Sequence, residues 1–311
     1  MILVESAGLL TTVQDLGRPG YGEMGVSACG AGDPVALRIA NTLVGNRPGA
    51  AALEMTMIGG RYRFDIATVA AVTGAECPVR LNGAPAPQWA AFEVPAGGMI
   101  EVAVATAGAR MYLAAAGGID VPLALGSAST HLTAGIGGLD GRALRKGDRL
   151  ALGIAERPAL WRALRRETLA RLAARKTLRV TAAPQTGWFT DEQRALLVSS
   201  AYRVTQEVNR LGLRLDGAPL ACPGASNMIT EGAALGTVQV PAGGQPIILF
   251  VEQQTTGGYP KIANVIAADL PSVGQLRPGD EVRFEWVGFE TARALLREQE
   301  SLMAHGELFA E

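Results

Sequence analysis

The feature of this sequence that most constrains its fold is the alternation of short strand-like stretches with turns rich in glycine or proline. Segments such as 62–64, 69–72, 99–104 and 110–114 are short, often alternate between apolar and polar residues, and are bounded by Gly or Pro. Gly and Pro supply 39 and 17 of the 311 residues, well above ordinary usage. Strands linked by short turns favour barrel or sandwich domains over a doubly wound sheet.

Three segments share one local pattern, a Gly-containing turn followed by an alternating strand: 95–102, 145–152 and 277–284. The last two have similar residues at their Gly-Asp turns. They suggest that the same way of starting a strand is used in both halves of the chain. Independent reuse of a common turn is the alternative.

Helical spacing appears in only a few places. Apolar residues recur with this spacing over 158–176, with arginines on the other face, and again over 289–303. Asp33 and Pro34 are suited to the N-cap and first position of a short helix. The predicted parts are a β-rich domain, a helical connector, a second β-rich domain and a C-terminal helix with its tail, over 1–155, 156–177, 178–288 and 289–311.

Composition excludes several classes of function. The formal net charge is −1, which does not fit a general nucleic-acid binder, and no apolar run reaches the length of a membrane span. Three scattered cysteines fit a reducing, cytoplasmic setting, and two histidines without a ligand motif predict no metal site. We find no P-loop and no Met-Lys-Met biotin-attachment triplet, so no cofactor is expected from a recognisable motif.

Polar residues among glycines mark a first candidate binding segment at 11–21. Gln14, Asp15 and Arg18 offer donors and acceptors there, although Asp15 and Arg18 could simply pair with each other. A second candidate is 231–246, in which Gln239 lies inside a strand pattern. A carboxamide suits a neutral amide or lactam better than a phosphate, but local backbone could equally satisfy it.

The densest polar cluster is Glu252–Lys261, which follows the apolar strand 247–251. The 28 basic residues comprise 25 arginines and three lysines, and Lys261 is the one lysine within a polar cluster. An ammonium on a flexible stem suits a carboxylate or a transferred carboxyl or phosphoryl group. We therefore expect Lys261 to bind substrate or act in catalysis, with chance placement as the alternative.

Together these stretches resemble one family, that of the C subunit of bacterial 5-oxoprolinase, also described as allophanate hydrolase subunit 2 or as the biotin-dependent carboxyltransferase family. The family includes the antagonist of the sporulation-kinase inhibitor. The resemblance runs from about residue 3 to 286. Its motifs in this chain are 10–21, 41–46, 115–120, 209–212, 239–241 and 254–261.

The resemblance implies a mainly β fold of two cyclophilin-like β-barrel domains joined by a helical connector. It also implies two partners, the B-type subunit of 5-oxoprolinase (a kinase-inhibitor-like protein) and the A-type subunit of 5-oxoprolinase. The assembled complex would use ATP to open 5-oxo-L-proline to L-glutamate, and this chain alone would be inactive. One alternative is the carboxyltransferase component of a biotin-dependent urea or amide carboxylase. Another is a non-catalytic antagonist that binds a kinase-inhibitor-like partner.

The chain departs from the family pattern at three places. Cys29 stands where a serine is common, Asn209 where an aspartate is frequent, and Glu252 where an aspartate precedes Gln-Thr-Thr. The change at Asn209 removes a carboxylate, which argues against acid–base chemistry there. We expect Cys29 to be a small filler, because nothing nearby in the sequence would lower its pKa.

The resemblance and the polar stretches together give a set of candidate site residues. Arg18, Arg210 and Lys261 would hold a substrate carboxylate or a developing oxyanion, with Lys261 and Arg210 in the catalytic roles. Gln and Thr side chains would orient the lactam. The full substrate-binding set is Gln14, Arg18, Gln239, Thr255, Thr256 and Tyr259.

Overall fold

The computed structural model describes residues 1–155, 157–161, 163–222, 228–304 and 308–309. The chain divides into two compact units. The N-terminal unit comprises Met1–Arg18, Cys29–Leu172 and the described residues from Leu302 onward, and the C-terminal unit comprises Pro19–Ala28 and Ala173–Ser301. The division after Leu172 falls inside the segment 156–177 that the sequence predicts as a connector.

The N-terminal unit is built from two antiparallel sheets. Its strands, among the described residues, are β1 (Ile2–Ser6), β2 (Thr11–Gln14), β3 (Ala52–Thr56), β4 (Arg61–Phe64), β5 (Thr68–Glu76), β6 (Val79–Leu81), β7 (Ala84–Ala86), β8 (Ala91–Val94), β9 (Met99–Val102), β10 (Ala107–Ala115), β11 (Ile119–Asp120) and β12 (Arg149–Leu152). One sheet has the order β11-β12-β1-β4-β9-β6-β7 and the other β2-β3-β10-β5-β8. One apolar cluster draws Tyr62 and Phe64 from the first sheet and Met55 and Leu113 from the second. The core therefore lies between the sheets.

The predicted short helix is confirmed as α1 (Pro34–Leu43). Asp33 is its N-cap, and the Asp33 carboxylate accepts a hydrogen bond from Ala36 N at 3.0 Å. Pro34 at the first helical position lacks only an N–H that the helix would leave unbonded. Leu37 and Leu43 are fully buried in a second apolar cluster of this unit.

The C-terminal unit contains a closed barrel. The strands of this unit, among the described residues, are β13 (Thr177–Ala182), β14 (Tyr202–Val208), β15 (Gly212–Asp216), β16 (Glu231–Gly232), β17 (Thr237–Gln239), β18 (Ile247–Leu249), β19 (Thr256–Gly257), β20 (Lys261–Val265) and β21 (Glu281–Trp286). The barrel order is β13-β20-β17-β18-β15-β14-β21, closed by parallel pairing of β21 with β13. β16 and β19 form a separate two-stranded sheet. The mainly β fold predicted from the sequence is confirmed.

The two units start a strand with the same turn, at β12 and at β21. In each turn the Asp carboxylate accepts a hydrogen bond from the backbone N–H of the first residue, at 2.7 Å in Arg145–Asp148 and 3.1 Å in Arg277–Asp280. Gly147 and Gly279 have φ of +94° and +90°, which favours glycine at the third position. The shared pattern in the sequence thus reflects a shared turn geometry.

Among the described residues, the helix predicted over 158–176 is confirmed only for its central part and is wrong at both ends. Helix α2 spans only Arg166–Leu172, because the backbone before it bonds to neighbouring segments. Leu160 N donates to Leu43 O at 2.8 Å and Leu164 N to Trp89 O at 2.9 Å. These bonds hold the segment in a non-helical form against the N-terminal unit.

The remaining helices are α3 (Asp191–Ser199), α4 (Leu270–Gln275) and α5 (Phe289–Ala304). The helix predicted over 289–303 is confirmed as α5. Among the described residues, no helix combines the length and the apolar character needed to cross a membrane.

Candidate functional site

The C-terminal unit contains a cavity of about 660 Å³ beside β14, β15, β17 and β18. Its polar lining is rich in carboxamides and includes one ion pair, between Arg214 Nε and Glu207 Oε2 at 2.7 Å. This volume suits a small polar ligand. The lining residues are Gln206, Glu207, Val208, Asn209, Leu211, Gly212, Arg214, Gln239, Ile247, Leu249, Gln254 and Tyr259.

Gln239 is the buried polar residue of this lining. It ends β17, which is hydrogen-bonded to β18 on one side and β20 on the other. Its side chain is 1% exposed, and its Nε2 has no hydrogen-bond partner among the described residues. Leaving an amide donor buried and unbonded costs about 1–3 kcal/mol. The cavity wall therefore presents a donor that an acceptor oxygen of a bound molecule would satisfy.

Gly257 on β19 lets two side-chain amides pack closely against its backbone. A Cβ built on Gly257 would lie 2.6 Å from Gln239 Nε2 and 2.9 Å from Gln254 Nε2. Real Cβ atoms do not approach other atoms this closely, so any larger residue would displace the carboxamides. The two side-chain nitrogens thus lie close together beside Gly257.

Lys261 is the first residue of β20 and the register partner of Gln239 across β17 and β20, at a point where the register shifts. It is 1% exposed. Its Nζ lies 2.9 Å from Glu231 Oε1, which also accepts a hydrogen bond from Gln185 Nε2 at 2.8 Å. The bonds from Lys261 and from Gln185 lower the pKa of Glu231. The ion pair with Glu231 therefore holds the Lys261 ammonium in place on β20, the strand beside the one that carries the Gln239 amide.

The sequence suggests that Arg210 binds a substrate anion, whereas in the structure its guanidinium is paired with a buried carboxylate. Arg210 is 4% exposed, and its Nε is 2.5 Å from Oε1 of Glu252, which is also buried. Glu252 N also donates to Arg210 O at 2.7 Å. This buried ion pair joins the segments that carry Asn209 and Gln254, two residues of the cavity lining. Among the described residues, the lining includes neither Arg210 nor Lys261.

The other candidates in the Glu252–Lys261 cluster differ in exposure. Tyr259 lines the cavity and is 47% exposed. Thr255 is half-buried and its carbonyl accepts a hydrogen bond from Ala233 N at 2.9 Å. Thr256 is exposed on β19, opposite Gly232 of β16. Within the described part of the chain, no group of three His, Cys, Asp or Glu residues is placed to bind a metal.

Gln14 belongs to the N-terminal unit and is fully buried at the end of β2. Its Nε2 donates to Thr12 Oγ1 at 3.0 Å and to Thr130 O at 2.9 Å. Cys29 Sγ also donates to Thr130 O, at 3.1 Å. The Gln14 amide is therefore used to hold core segments together, and Cys29 is a buried packing residue.

Arg18, also in the N-terminal unit, is 1% exposed. Its Nε donates to Ala124 O at 3.2 Å and its Nη2 donates to Ser129 O, while Nη1 has no hydrogen-bond partner among the described residues. The neighbouring Asp15 carboxylate accepts hydrogen bonds from the hydroxyls of Ser127 and Ser129 at 2.6 and 2.5 Å. Asp15 therefore holds the segment that contains Ser127 and Ser129 against its own segment.

Comparison with known proteins identifies the family. The sequence pattern described as "Carboxyltransferase domain, subdomain A and B" matches residues 24–286, most of the chain. The chain belongs to this carboxyltransferase domain family. The resemblance stated from the motifs in the sequence is thus confirmed.

Relatives within the family carry two kinds of name. The C subunit of 5-oxoprolinase from Escherichia coli is 38% identical over 302 residues, covering 96% of both chains, and that from Haemophilus influenzae is 37% identical over 290 residues, covering 93% and 92%. The crystal structure of the K. lactis urea amidolyase matches this carboxyltransferase-domain chain with a TM-score of 0.92 at 32% identity. That match covers all of this chain and 20% of the other.

Reasoning from the sequence missed two residues of the site, Glu231 and Gln185. Glu231 opens the polar stretch 231–246, so its position was marked but its link to Lys261 was not. Gln185 follows β13 in a segment with no distinguishing pattern. Contacts between residues 30 and 76 positions apart, as here, leave no local signal in a single sequence.

Proposed function

We propose that this chain is the C component of an ATP-dependent 5-oxoprolinase that hydrolyses 5-oxo-L-proline to L-glutamate. In this proposal it acts in the cytoplasm with the A- and B-type components of 5-oxoprolinase and is inactive alone. The observation that carries the proposal is the similarity to two proteins that are named as this component of 5-oxoprolinase, which extends over more than nine-tenths of each chain. Similarity of this extent supports a shared role for the whole chain.

The reaction opens a five-membered lactam. Water adds to the ring carbonyl carbon, the C–N bond breaks, the oxygen remains in the new carboxylate, and the nitrogen leaves as the free amine. Hydrolysis of ATP to ADP and phosphate would drive the step. We assign ATP to the assembled complex, because this chain carries no recognisable nucleotide-binding motif.

The cavity of the C-terminal unit suits such a substrate. The buried Gln239 amide supplies a donor for a carbonyl oxygen, and Tyr259 lines the same space. Lys261 supplies the buried positive charge closest in the sheet to Gln239, and we propose that it stabilises negative charge developing on the substrate. Thr255 and Thr256 stay proposed substrate contacts next to Gln254.

Two residues change role in this proposal. Arg210 is a positioning residue, because its guanidinium is bound to the buried Glu252 carboxylate. Gln14 is a packing residue, because both of the hydrogen bonds given by its amide nitrogen are used within the core. Arg18 stays a proposed anion contact, since Nη1 is a buried donor without a hydrogen-bond partner among the described residues.

A second function is the carboxyltransferase component of a biotin-dependent urea or amide carboxylase. The TM-score of 0.92 to the K. lactis urea amidolyase and the description of the family support it. Biotin would then carry the carboxyl group on another chain or domain. Its cyclic urea group presents a carbonyl oxygen, which the same Gln239 donor could bind.

Co-expression with the A- and B-type components tests these functions together. We expect the purified complex to release glutamate and phosphate from 5-oxo-L-proline and ATP, and to need all three chains. Carboxylation of urea by a biotin carboxylase and a carrier, with no glutamate release, would favour the second function. Tight binding to the B-type component with neither activity would favour a non-catalytic antagonist.

A further inference from the structure

Two side-chain amides and one glycine form a small cradle in the cavity of the C-terminal unit. The nitrogens of Gln239 and Gln254 both approach the point where a Gly257 side chain would begin, at 2.6 and 2.9 Å. Both glutamines line the cavity, and the Gln239 nitrogen is buried without a hydrogen-bond partner among the described residues. Because both nitrogens lie within 3 Å of one point, they are close enough for one acceptor atom in the cavity to receive a hydrogen bond from each.

The charges around the cradle restrict what that acceptor can be. The described lining contains one guanidinium, on Arg214, and it is paired with Glu207. A free carboxylate or phosphate is normally bound by an unpaired cation or by several charge-assisted bonds. Amide N–H groups with no excess positive charge suit the oxygen of an uncharged carbonyl.

We propose that Gln239 and Gln254 bind the ring carbonyl oxygen of a cyclic amide or cyclic urea above Gly257. This makes Gln239 a specificity-determining residue of the site. The proposal rests on the proposed function, since it names the group by which that site recognises its substrate. Discrimination comes from the donor that stays unbonded when a ring without a carbonyl enters.

The two glutamines contribute differently. Gln239 lies on a strand bonded on both sides, to Ile247 and to Lys261, and is 1% exposed, so its amide is held in place before a ligand binds. Gln254 is exposed in the segment before β19. Gln239 therefore fixes the position of the oxygen, and Gln254 adds the second donor.

Titration of the full chain with paired probes, followed by NMR, tests the cradle directly. 5-Oxo-L-proline and 2-imidazolidinone carry a ring carbonyl, whereas cyclopentanecarboxylate and L-proline keep a ring and a carboxylate without it. We expect the two carbonyl probes to bind and the other two to bind at least ten-fold more weakly. Equal binding of all four probes, or of none, would overturn the proposal.

Substitutions then locate the interaction. Gln239→Leu and Gly257→Ala should each weaken 5-oxo-L-proline binding about ten-fold, the effect expected for losing one hydrogen bond to a buried donor. Gly258→Ala is the matched control, because among the described residues its new Cβ would meet only Thr230 Oγ1, at 3.3 Å. Gln254→Leu, at an exposed position, removes the second donor without a risk to folding. Wild-type affinity in Gln239→Leu and Gly257→Ala would contradict the cradle.

The cradle and the proposed function can fail separately. Binding of the carbonyl probes that depends on Gln239, in a chain whose complex releases no glutamate, would leave the cradle standing and refute the 5-oxoprolinase. Glutamate release with an unchanged KM for 5-oxo-L-proline in both Gln239→Leu and Gly257→Ala would refute the cradle and leave the 5-oxoprolinase standing.

Discussion

Lys261 and Gln239 are register partners across the antiparallel strands β20 and β17, and both are 1% exposed. The Lys261 ammonium is bound to the Glu231 carboxylate at 2.9 Å, whereas the Gln239 amide nitrogen has no hydrogen-bond partner among the described residues. One strand pair therefore presents a buried charge and an unsatisfied donor next to each other. The proposed chemistry depends on this juxtaposition.

Replacing Lys261 by Met should reduce glutamate release by the reconstituted complex by at least about 100-fold, the size of effect seen when a charge-stabilising group is lost. The fold should survive, because Glu231 is 42% exposed and can be solvated when its partner is gone. Lys176→Met is the control, since Lys176 also pairs with a carboxylate, Asp280, but is 64% exposed. Activity of Lys261→Met close to wild type would remove Lys261 from the site.

Glu252→Gln should destabilise the chain by about 3 kcal/mol, since it leaves the Arg210 guanidinium buried without its carboxylate. Urea unfolding at pH 7 would measure the change. Replacing Arg210 and Glu252 together by Met should recover part of the loss, because no buried charge then lacks a partner. A change below about 0.5 kcal/mol in Glu252→Gln would show that the pair does not hold the two segments.

Asp148→Asn should cost about 2 kcal/mol at pH 7, since Asp148 accepts charge-assisted bonds from Arg142 at 2.7 and 3.0 Å. The Arg142 bonds, followed by the Arg145 backbone bond, lower the pKa of Asp148. Its stabilisation is therefore complete above the unfolded pKa of about 4 and is lost as the pH falls through the lower folded pKa.

Urea unfolding of wild type and Asp148→Asn between pH 7 and pH 2 would check this prediction. Asp140→Asn is the control, because Asp140 is 74% exposed and 3.5 Å from Arg142. A difference between wild type and Asp148→Asn that stays constant down to the lowest pH would contradict it.

Cys77 should resist alkylation in the folded chain. Burial, with the nearby Glu76 charge, raises the pKa of its thiol to about 12, so almost none is thiolate at pH 8. Its Sγ also accepts a hydrogen bond from Gln88 Nε2 at 3.3 Å. Mass spectrometry after treatment with iodoacetamide should find Cys77 unmodified in buffer and modified in urea. Equal modification in both conditions would show that the thiol is accessible.

Local features of the fold could be predicted from the sequence. The Asp33–Pro34 signal located α1, and the Gly-Asp turns before β12 and β21 share one geometry, because these features depend on residues a few positions apart. The helix predicted from residue 158 fails up to Arg166, because Leu160 and Leu164 bond to Leu43 and Trp89, which are distant in the sequence. The spacing of apolar residues alone does not show that such bonds to distant residues replace helical ones.

The sequence predicts which types of residue form the candidate site better than it predicts the ion-pair and hydrogen-bond partners of those residues. Gln239, Tyr259 and Lys261 lie in polar stretches that the sequence marks, and the structure brings them together in the C-terminal unit. The partners of the charged residues decide their roles, and these partners come from distant strands and loops. Thus Arg210 is tied to Glu252, and Lys261 to Glu231, by barrel topology that one sequence does not specify.

The most direct test of the account is a glutamate-release assay on the complex of this chain with the A- and B-type components, given 5-oxo-L-proline and ATP. The account predicts glutamate and phosphate in equal amounts, loss of both when this chain is omitted, and loss of both with Lys261→Met. Full glutamate release by the A- and B-type components without this chain would contradict it.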